Sequence, residues 1–286
     1  MPTISAHNWS VEYRWSQSSG LVVGPCEYMG VRVLHDAAVP FVYVNYAGAA
    51  FGPFTDELRS TSRRIERREI MHGFDLKASY DLYSDDYLYE HVIRFHDDGQ
   101  FASRIVIQGP GEENGGQHIY HIPFRIDLDV GGSPHDDFQR RAASGRWTNV
   151  AREGGHKAVG TGEYEWRVVD RTQDRSVVVR PGQYDDGELW ALAYKDVEGW
   201  SAAGGAGEGA PGSPGSVPAV YDTNESVQDA DVVLWYIAHI PSAGLPRACG
   251  PWFALRGYPE PPPDEEEEHH HDEEEDDHQH DEEDHH

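Results

Sequence analysis

Apolar and polar residues alternate at every second position along most of the chain. In the first such segment, Trp9, Val11, Tyr13 and Trp15 fall on one face. A period of two is typical of β-strands with one face buried, because successive side chains of a strand point to opposite sides. The same alternation recurs in YLYEHVIRF (87–95), RIVIQG (104–109), EYEWRVV (163–169), RSVVVR (175–180), ELWALAY (188–194) and DVVLWYIAHI (231–240). The pattern predicts an all-β fold, a large antiparallel β-sandwich with few helices.

Two local elements can be placed within this pattern. Residues 87–109 predict a β-hairpin, in which Asp97, Asp98 and Gly99 form the turn between two strands. Residues 55–70, TDELRSTSRRIERREI, have the charge density of a helix. Their apolar residues are too sparse to require one, so helix and non-helix both stay open there.

Composition divides the chain into a folded body and a tail. Hydrophobic residues make up 38% of the 286 residues, enough to build a substantial core. We expect one domain over residues 1–263, interrupted by a flexible Gly/Pro/Ser-rich loop at 201–216, because strand patterns lie on both sides of that loop. Residues 264–286 predict a disordered Asp/Glu/His-rich tail, since they contain 15 acids, 7 histidines and no hydrophobic residue.

The charge of the chain excludes some classes of partner. The net charge is −28, and residues 1–263 still carry −13 without the tail. No basic stripe is evident, so we expect no nucleic-acid partner and no anionic membrane partner, whereas cationic ligands suit this field. No apolar run approaches the roughly 20 residues that span a bilayer, and the start MPTISAHNWS lacks the features of a signal peptide. A cytoplasmic protein, with Cys26 and Cys249 as free thiols, is the expectation.

Two aspartates in the segment IDLDV are candidates for binding a hard cation. Asp127 and Asp129 are two residues apart, so in a strand their carboxylates share a face, with the carbonyl of Leu128 between them. Calcium or manganese prefers such oxygen ligands. On its own, however, the same spacing is typical of the polar outer face of a half-exposed strand.

Three histidines are candidates for binding a softer metal. His118 and His121 are three residues apart and would face opposite ways in a regular strand, unless a bulge near Pro123 intervenes. His239, at the end of an apolar strand, offers a third imidazole. Each histidine taken alone is typical of an ordinary hydrogen-bonded side chain.

Several segments, in order, resemble the C-terminal catalytic domain of the copper amine oxidases. GQHIYHIPFRIDLDV (116–130) is similar to the family's copper-ligand strand H-Q-H-I-Y-x-F-R-L-D-L-D-V. YDTNESVQDADVVLWYIAHIP (221–241) resembles the segment that ends in the third copper histidine, and DYLYEHVIRFHDDGQF (86–101) resembles the strand of the quinone-forming tyrosine. GPWFALRGYPEPP (250–262) resembles the closing motif. The resemblance covers most of residues 8–263, in shortened form.

The family resemblance implies an activity and a set of site residues. Copper amine oxidases oxidise primary amines to aldehydes with O₂, using copper(II) and topaquinone, a quinone made from a tyrosine. The resemblance makes Tyr87, preceded by Asp86, the quinone precursor, and His118 and His239 copper ligands. It places calcium or manganese at a second site formed by Asp127, Leu128, Asp129, Asp231 and Val232.

Departures from the family pattern affect the copper and quinone chemistry. Gly116 stands at the first copper histidine, and two inserted residues bring His121, so a bulged strand would be needed to give His118, His121 and His239 as ligands. Phe41 and Asp86 replace a tyrosine and an asparagine next to the cofactor. The motif that carries the catalytic base is not recognisable, and Asp56 is the nearest candidate for that base.

Two functions therefore stay open. The first is a shortened copper- and quinone-dependent oxidoreductase that acts on a small amine. The alternative is a catalytically degenerate member that keeps the fold as a metal-binding or scaffold protein. The family also implies a homodimer. The tail is predicted either to bind copper, nickel or zinc through its imidazoles and carboxylates, or to serve as a solvating extension.

Overall fold

The computed structural model confirms the all-β prediction. It describes residues 1–16, 19–46, 54–58, 64–82, 87–108, 117–132, 134–141, 144–157, 165–183, 186–195, 216–219, 221–243 and 245–261. Within these ranges, the strands form two large sheets in which every pairing is antiparallel. The only α-helix in the described ranges is α1, the four residues Ser216–Ala219, and a 3₁₀ turn covers Val130–Gly132.

The strands, in chain order, are as follows. The first half of the chain contains β1 (Thr3–Ala6), β2 (Trp9–Ser16), β3 (Gly20–Tyr28), β4 (Val31–Ala38), β5 (Phe41–Tyr46), β6 (Phe54–Glu57), β7 (Ile65–Ile70), β8 (Gly73–Leu82), β9 (Tyr87–His96), β10 (Gln100–Gln108), β11 (His118–Leu128) and β12 (Asp136–Arg141). The second half contains β13 (Trp147–Asn149), β14 (Gly154–Lys157), β15 (Trp166–Asp170), β16 (Arg175–Arg180), β17 (Glu188–Ala193), β18 (Gln228–Ala230), β19 (Val232–Pro241), β20 (Arg247–Cys249) and β21 (Trp252–Arg256).

The two sheets have different strand orders. Sheet 1 runs β1-β2-β3-β4-β11-β19-β17-β14, with β5 paired to β11 and to β6. Sheet 2 runs β13-β12-β15-β16-β21-β10-β9-β8-β7, with β18 paired to β12 and β20 to β10. Strand β11 therefore lies inside sheet 1, between β19 on one side and β4 and β5 on the other.

The main core lies between the sheets and is built from the alternating apolar residues. From sheet 1, Trp9 packs against Phe95 and Phe101 of sheet 2, with ring centroids 5.0 and 5.7 Å away. The Trp9 indole also donates a hydrogen bond to the carbonyl of His96 at 2.7 Å. Apolar burial supplies most of the stabilisation, and the indole hydrogen bond fixes the position of one sheet on the other.

The predicted hairpin is confirmed. Strands β9 and β10 pair in continuous register from Phe95↔Phe101 to Leu88↔Gln108. Gly99 in the turn has φ +83°, a left-handed conformation that glycine adopts without steric cost.

A helix over residues 55–70 is not formed in the described part of that segment. Phe54–Glu57 and Ile65–Ile70 are strands, and residues 59–63 lie outside the described ranges. Strand β7 forms an edge of sheet 2, paired with β8 from Ile65↔Ala78 to Ile70↔Gly73. Its charged residues are compatible with an edge strand, where only one side of the backbone is paired and charge opposes association with other strands.

Other expectations are tested only in part. The loop at 201–216 lies outside the described residues except for Ser216, and so does the tail at 264–286. Cys26 and Cys249 form no disulfide, as predicted, and both are buried. Among the described residues, no helix has the length and hydrophobicity that crossing a membrane requires.

The hydroxyl of Tyr80 links the two sheets, and removing it tests this contact. Tyr80 of β8 is fully buried and accepts a hydrogen bond from the backbone amide of Leu21 in β3 at 2.8 Å. Tyr80→Phe leaves that buried amide without its acceptor, so we expect a loss of about 1–3 kcal/mol in the free energy of unfolding, measured by urea denaturation. The control Tyr13→Phe, at a partly exposed ring, should change it by less than about 0.5 kcal/mol. Equal effects of the two substitutions would contradict the role of this hydrogen bond.

Candidate functional site

Strand β11 carries most of the candidate site residues, and its alternation decides which of them meet. Tyr120, Phe124 and Leu128 point into the core between the sheets. Residues at odd positions, including His121 and Asp127, therefore point to the outer face of sheet 1. The histidines lie at the start of the strand and the aspartates at its end, so they form two separate groups.

His121 and His239 meet on the outer face of sheet 1. They are register partners on β11 and β19, and their Nδ1 atoms are 2.7 Å apart. Burial, followed by the neighbouring His239, lowers the pKa of His121 to about 3. A contact between two neutral imidazoles requires one Nδ1 to donate and the other to accept.

His118 lies on the opposite face of the sheet. Its Nε2 is 2.8 Å from the hydroxyl of Tyr120, and its ring stacks on Tyr46 at 4.8 Å between centroids. Strand β11 pairs with β19 without interruption from Ile119 to Asp127, so the bulge that would turn His118 toward the other histidines is not formed. The structure therefore does not bring the three predicted copper ligands together.

Asp56, the predicted catalytic base, lies in the same buried interior as His118. The hydroxyl of Tyr89 donates to its carboxylate at 2.7 Å, and the ring of Tyr89 is 6.3 Å from that of Tyr120. Burial raises the pKa of Asp56, and the hydrogen bond from Tyr89 partly offsets this rise. Asp56, Tyr89, Tyr120 and His118 thus form one polar cluster between the sheets, which we call the inner cluster.

The other residues expected near the quinone are placed less fully. Tyr87 begins β9, and its side chain lies outside what the structure describes, as do Asp86 and Gly116. Phe41 packs in an apolar cluster with Tyr43 and Trp235. Tyr43 is the register partner of the outward-facing His121, so Phe41 also lies on the outer face, away from the inner cluster.

Three of the predicted hard-cation residues, Asp127, Asp129 and Asp231, lie around one cavity at the other end of β11, whereas the side chains of Leu128 and Val232 belong to the core. Here β4 and β11 change register, because Asp127 pairs with Asp36 while Leu128 pairs with Leu34, leaving His35 as the extra residue of a bulge. The cavity has a volume of about 340 Å³. It is lined by His35, Asp127, Asp129, Gly132, Pro134, Tyr194 and Asp231.

The electrostatics of this acidic pocket favour a bound cation. Burial raises the pKa of Asp127 to about 8, against the opposing effect of Arg125 and with added repulsion from Asp36 and Asp231. Burial also raises the pKa of Asp129 and of Asp231, and the charge of Asp129 adds to the rise at Asp231. Burial disfavours the ionised form of all three carboxyl groups around this cavity. A cation that enters the cavity would stabilise that ionised form.

The acidic pocket is not a ready-made metal centre. No three His, Cys, Asp or Glu side chains of the described residues are arranged to hold a metal ion. Asp127 is already engaged, because Arg125 donates to it at 3.2 Å and to Asp36 at 2.8 Å. Binding of an ion therefore requires rotation of carboxylates toward a common point.

Sequence reasoning missed the contribution of Arg125. This arginine is 4% exposed and bridges two carboxylates, so it supplies the only buried guanidinium that donates to Asp127 among the described residues. The signal was present in the sequence, because Arg125 and Asp127 are two residues apart and must share a strand face.

Glu153 holds the segment that leads into Asp231, and it was also missed. Its side chain is fully buried and accepts hydrogen bonds from the amides of Ala193, Thr223 and Glu225 at 2.7–3.1 Å. The ammonium of Lys195 donates to the same carboxylate. Burial alone would raise the pKa of Glu153, but these donors outweigh it and hold the pKa below its usual value.

Comparison with known proteins shows the fold. No family model matches the chain, and no curated protein matches it. Among solved structures, it is similar to a copper-containing benzylamine oxidase from Hansenula polymorpha, with a TM-score of 0.67 and 12% identity over 89% of this chain and 59% of that one. It is also similar to an Aspergillus nidulans amine oxidase (TM-score 0.67, 13% identity, 88% and 51%) and to a Pichia pastoris lysyl oxidase (0.67, 13%, 90% and 52%).

These similarities concern the fold and part of the length of the solved proteins. The chain spans only 51–59% of the length of those three proteins. Identities of 12–13% support a relationship of fold, while catalysis has to be argued from the site. The chain has the sandwich fold that these solved oxidases contain.

The role of Glu153 can be tested by its pH dependence. Because its pKa is lowered in the folded state, its contribution is present above the unfolded value of about 4.3 and is lost as pH falls. We expect Glu153→Gln to lower the free energy of unfolding by about 2 kcal/mol at pH 7, and this difference from wild type to shrink toward pH 3. Urea denaturation at several pH values measures it, with the exposed Glu260→Gln as control. A difference that is the same at every pH would contradict this assignment.

Proposed function

We propose that this protein is a cation-binding protein built on the amine oxidase fold, and that it binds calcium or manganese at the acidic pocket. The observation that carries this proposal is the meeting of Asp127, Asp129 and Asp231 around one cavity. The backbone carbonyls of Leu128 and Val232, next to these aspartates in sequence, complete the proposed ligand set. Oxygen donors of this kind and number suit a hard cation.

The charges around the pocket support a divalent ion. Arg125 is shared between Asp36 and Asp127, and the nearest cation to Asp129 is Arg32, at 3.8 Å. Arg14 also pairs with Asp36 at 3.4 Å, and Asp231 is affected by Arg125 and His35 only at longer range. The four carboxylates therefore outnumber the three guanidinium groups around them, and a dication can supply the missing positive charge in place of protons.

Copper at three imidazoles does not fit the same structure. His121 and His239 share the outer face, whereas His118 contacts Tyr120 in the interior. Two imidazoles on one face and one on the other cannot bind one ion. The proposal therefore assigns the protein to the catalytically degenerate alternative.

Amine oxidation is a second candidate, favoured by the inner cluster. A buried carboxylate with a raised pKa, Asp56, is the kind of group that acts as a general base near neutral pH. It lies against Tyr89, two residues along β9 from Tyr87, the proposed precursor of topaquinone. The similar solved proteins are named as amine oxidases, so a small primary amine is the substrate class for this candidate, and a homodimer stays a prediction.

Calcium binding at the acidic pocket is tested with Asp231→Asn. We expect the variant to bind Ca²⁺ at least about tenfold more weakly than wild type, measured by isothermal titration calorimetry on metal-free protein. Asp229→Asn is a matched control, because Asp229 lies only two residues from Asp231 and carries the same charge. Its carboxylate is exposed and pairs with His135. Both variants keep residues 264–286, so any Ca²⁺ bound by that segment contributes equally to the two measurements. Equal affinities in the two variants would refute the acidic pocket as the site.

The choice between the two candidates is tested by quinone formation. After incubation with copper under air, we expect no visible quinone absorbance, no redox-cycling quinone stain and an unmodified Tyr87 by mass spectrometry. A stained protein whose modification maps to Tyr87 would establish the oxidase candidate instead. In that case Asp56→Asn should lower the rate of amine turnover by about 10²–10⁴-fold, as expected for loss of a general base.

A further inference from the structure

A second pair of carboxylates lies deeper in the sandwich, between Asp136 and Asp170. The two residues are register partners on the antiparallel strands β12 and β15, and both are completely buried. Phe138 and Val168, each two residues away on the same strands, belong to the main core, so both aspartates point inward. Directly opposed residues on one face have Cβ atoms about 4.5–5.5 Å apart, so their carboxylates can reach a common point.

One of the two carboxylates is held in a fixed orientation. Oδ1 of Asp170 accepts hydrogen bonds from the amide and the hydroxyl of Thr172, at 2.7 and 2.6 Å. Its other oxygen, Oδ2, is buried without a hydrogen-bond partner among the described residues. This is the arrangement of a metal-ligating carboxylate, in which outer hydrogen bonds orient one oxygen and leave the other for the ion.

The opposing carboxylate is poorly compensated. Both side-chain oxygens of Asp136 are buried without a hydrogen bond of normal geometry in the described part of the chain. The backbone amide of Val130 acts on this carboxylate and lowers its pKa, without completing such a bond. Three buried carboxylate oxygens are thus short of donors, although burying an uncompensated polar group costs about 1–3 kcal/mol and more when it is charged. Buried polar groups in native proteins are nearly always paired, so something absent from the polypeptide is expected between these two residues.

The groups around Asp136 disfavour its ionised form. Burial, followed by the charge of Asp170, raises the pKa of Asp136 to about 8, and Asp129 and Asp231 of the acidic pocket add to this rise. The nearby amide of Val130 only partly opposes it. Arg175 of β16 is the register partner of Asp170, but its Nη1 donates to Gln173 and its Nε is buried without a hydrogen-bond partner among the described residues. The described residues show no ion pair between Arg175 and either aspartate.

We propose that a second hard divalent cation, of the calcium or manganese class, binds between Asp136 and Asp170, at a site that we call the inner site and that is separate from both the acidic pocket and the inner cluster. Its ligands are both oxygens of Asp136 and Oδ2 of Asp170. A turn containing Gly131 covers the pair, and a Cβ atom placed on that glycine would lie 3.3 Å from Oδ2 of Asp170. Gly131 also lines a cavity of about 440 Å³, together with Asp129 and Arg175.

The competing explanation is that the pair shares a proton. A proton would join one oxygen of Asp136 to Oδ2 of Asp170 and leave the remaining oxygen of Asp136 with the amide of Val130 as its nearby donor among the described residues. A dication satisfies all three oxygens and both charges at once. The two explanations differ in one measurable quantity, the number of cations bound by the chain.

The test counts bound calcium in the full-length protein and three variants. Metal-free protein is equilibrated with Ca²⁺ at physiological salt, and bound calcium is measured by plasma mass spectrometry after gel filtration. Relative to wild type, we expect Asp136→Asn to lose one equivalent, Asp231→Asn to lose a different one, and the double variant to lose both. Asp136→Asn that binds as much calcium as wild type, with the same affinity, overturns the inner site and establishes the shared proton.

The same variants, together with Asp170→Asn, show whether a loss of calcium comes from misfolding and whether the inner site binds independently of the acidic pocket. In Asp136→Asn the side-chain amide can donate to Asp170, so this variant is expected to fold, as checked by circular dichroism. If Asp136→Asn and Asp170→Asn both fail to fold, Asp231→Asn decides, because Ca²⁺ must still raise its melting temperature through the inner site. The absence of that rise overturns the proposal. Loss of an equivalent in Asp136→Asn but not in Asp231→Asn would refute the acidic pocket and leave the inner site standing.

Discussion

The alternation of side chains along β11 is the constraint on which the site depends. This strand is paired on both sides, so its register cannot change at one residue without breaking hydrogen bonds to β19 and to β4 or β5. An odd separation therefore divides two side chains between the core and the outer face. His118 and His121 are divided in this way, whereas the even spacing of Arg125 and Asp127 makes them neighbours.

Burial in a low-dielectric interior explains why carboxylates dominate the chemistry of this protein. Each buried aspartate needs compensation by a donor, a guanidinium or a bound cation. Glu153 obtains full compensation from Lys195 and three amides, and its pKa is lowered. Asp127 and Asp136 obtain little, and the pKa of each is raised to about 8. The difference separates a carboxylate that stabilises the fold from carboxylates available to a ligand.

Sequence predicted the fold better than the site, for physical reasons. Period-two alternation, visible around Trp9 and in residues 231–240, is local and identified the strands, and Gly99 identified a turn. The segment 55–70 stayed undecided because charge density does not distinguish a helix from the charged edge strand β7. The pair Asp136 and Asp170 could not be found, because 34 residues separate them and only the pairing of β12 with β15 brings them together.

The two predicted metal sites differ in how well they tolerate change in the chain. The acidic pocket needs Asp127 and Asp129 from the end of β11 and Asp231 from the residue before β19, which are adjacent strands in register at that end. Insertions or deletions farther along these strands leave that end intact. A copper site built from His118 and His239 needs both residues on the same face of the sheet, and the alternation of β11 places His118 on the core face while His239 contacts His121 on the outer face. The spacing that divides the imidazoles thus leaves the three aspartates around one cavity, because they depend only on where the two strands end and begin.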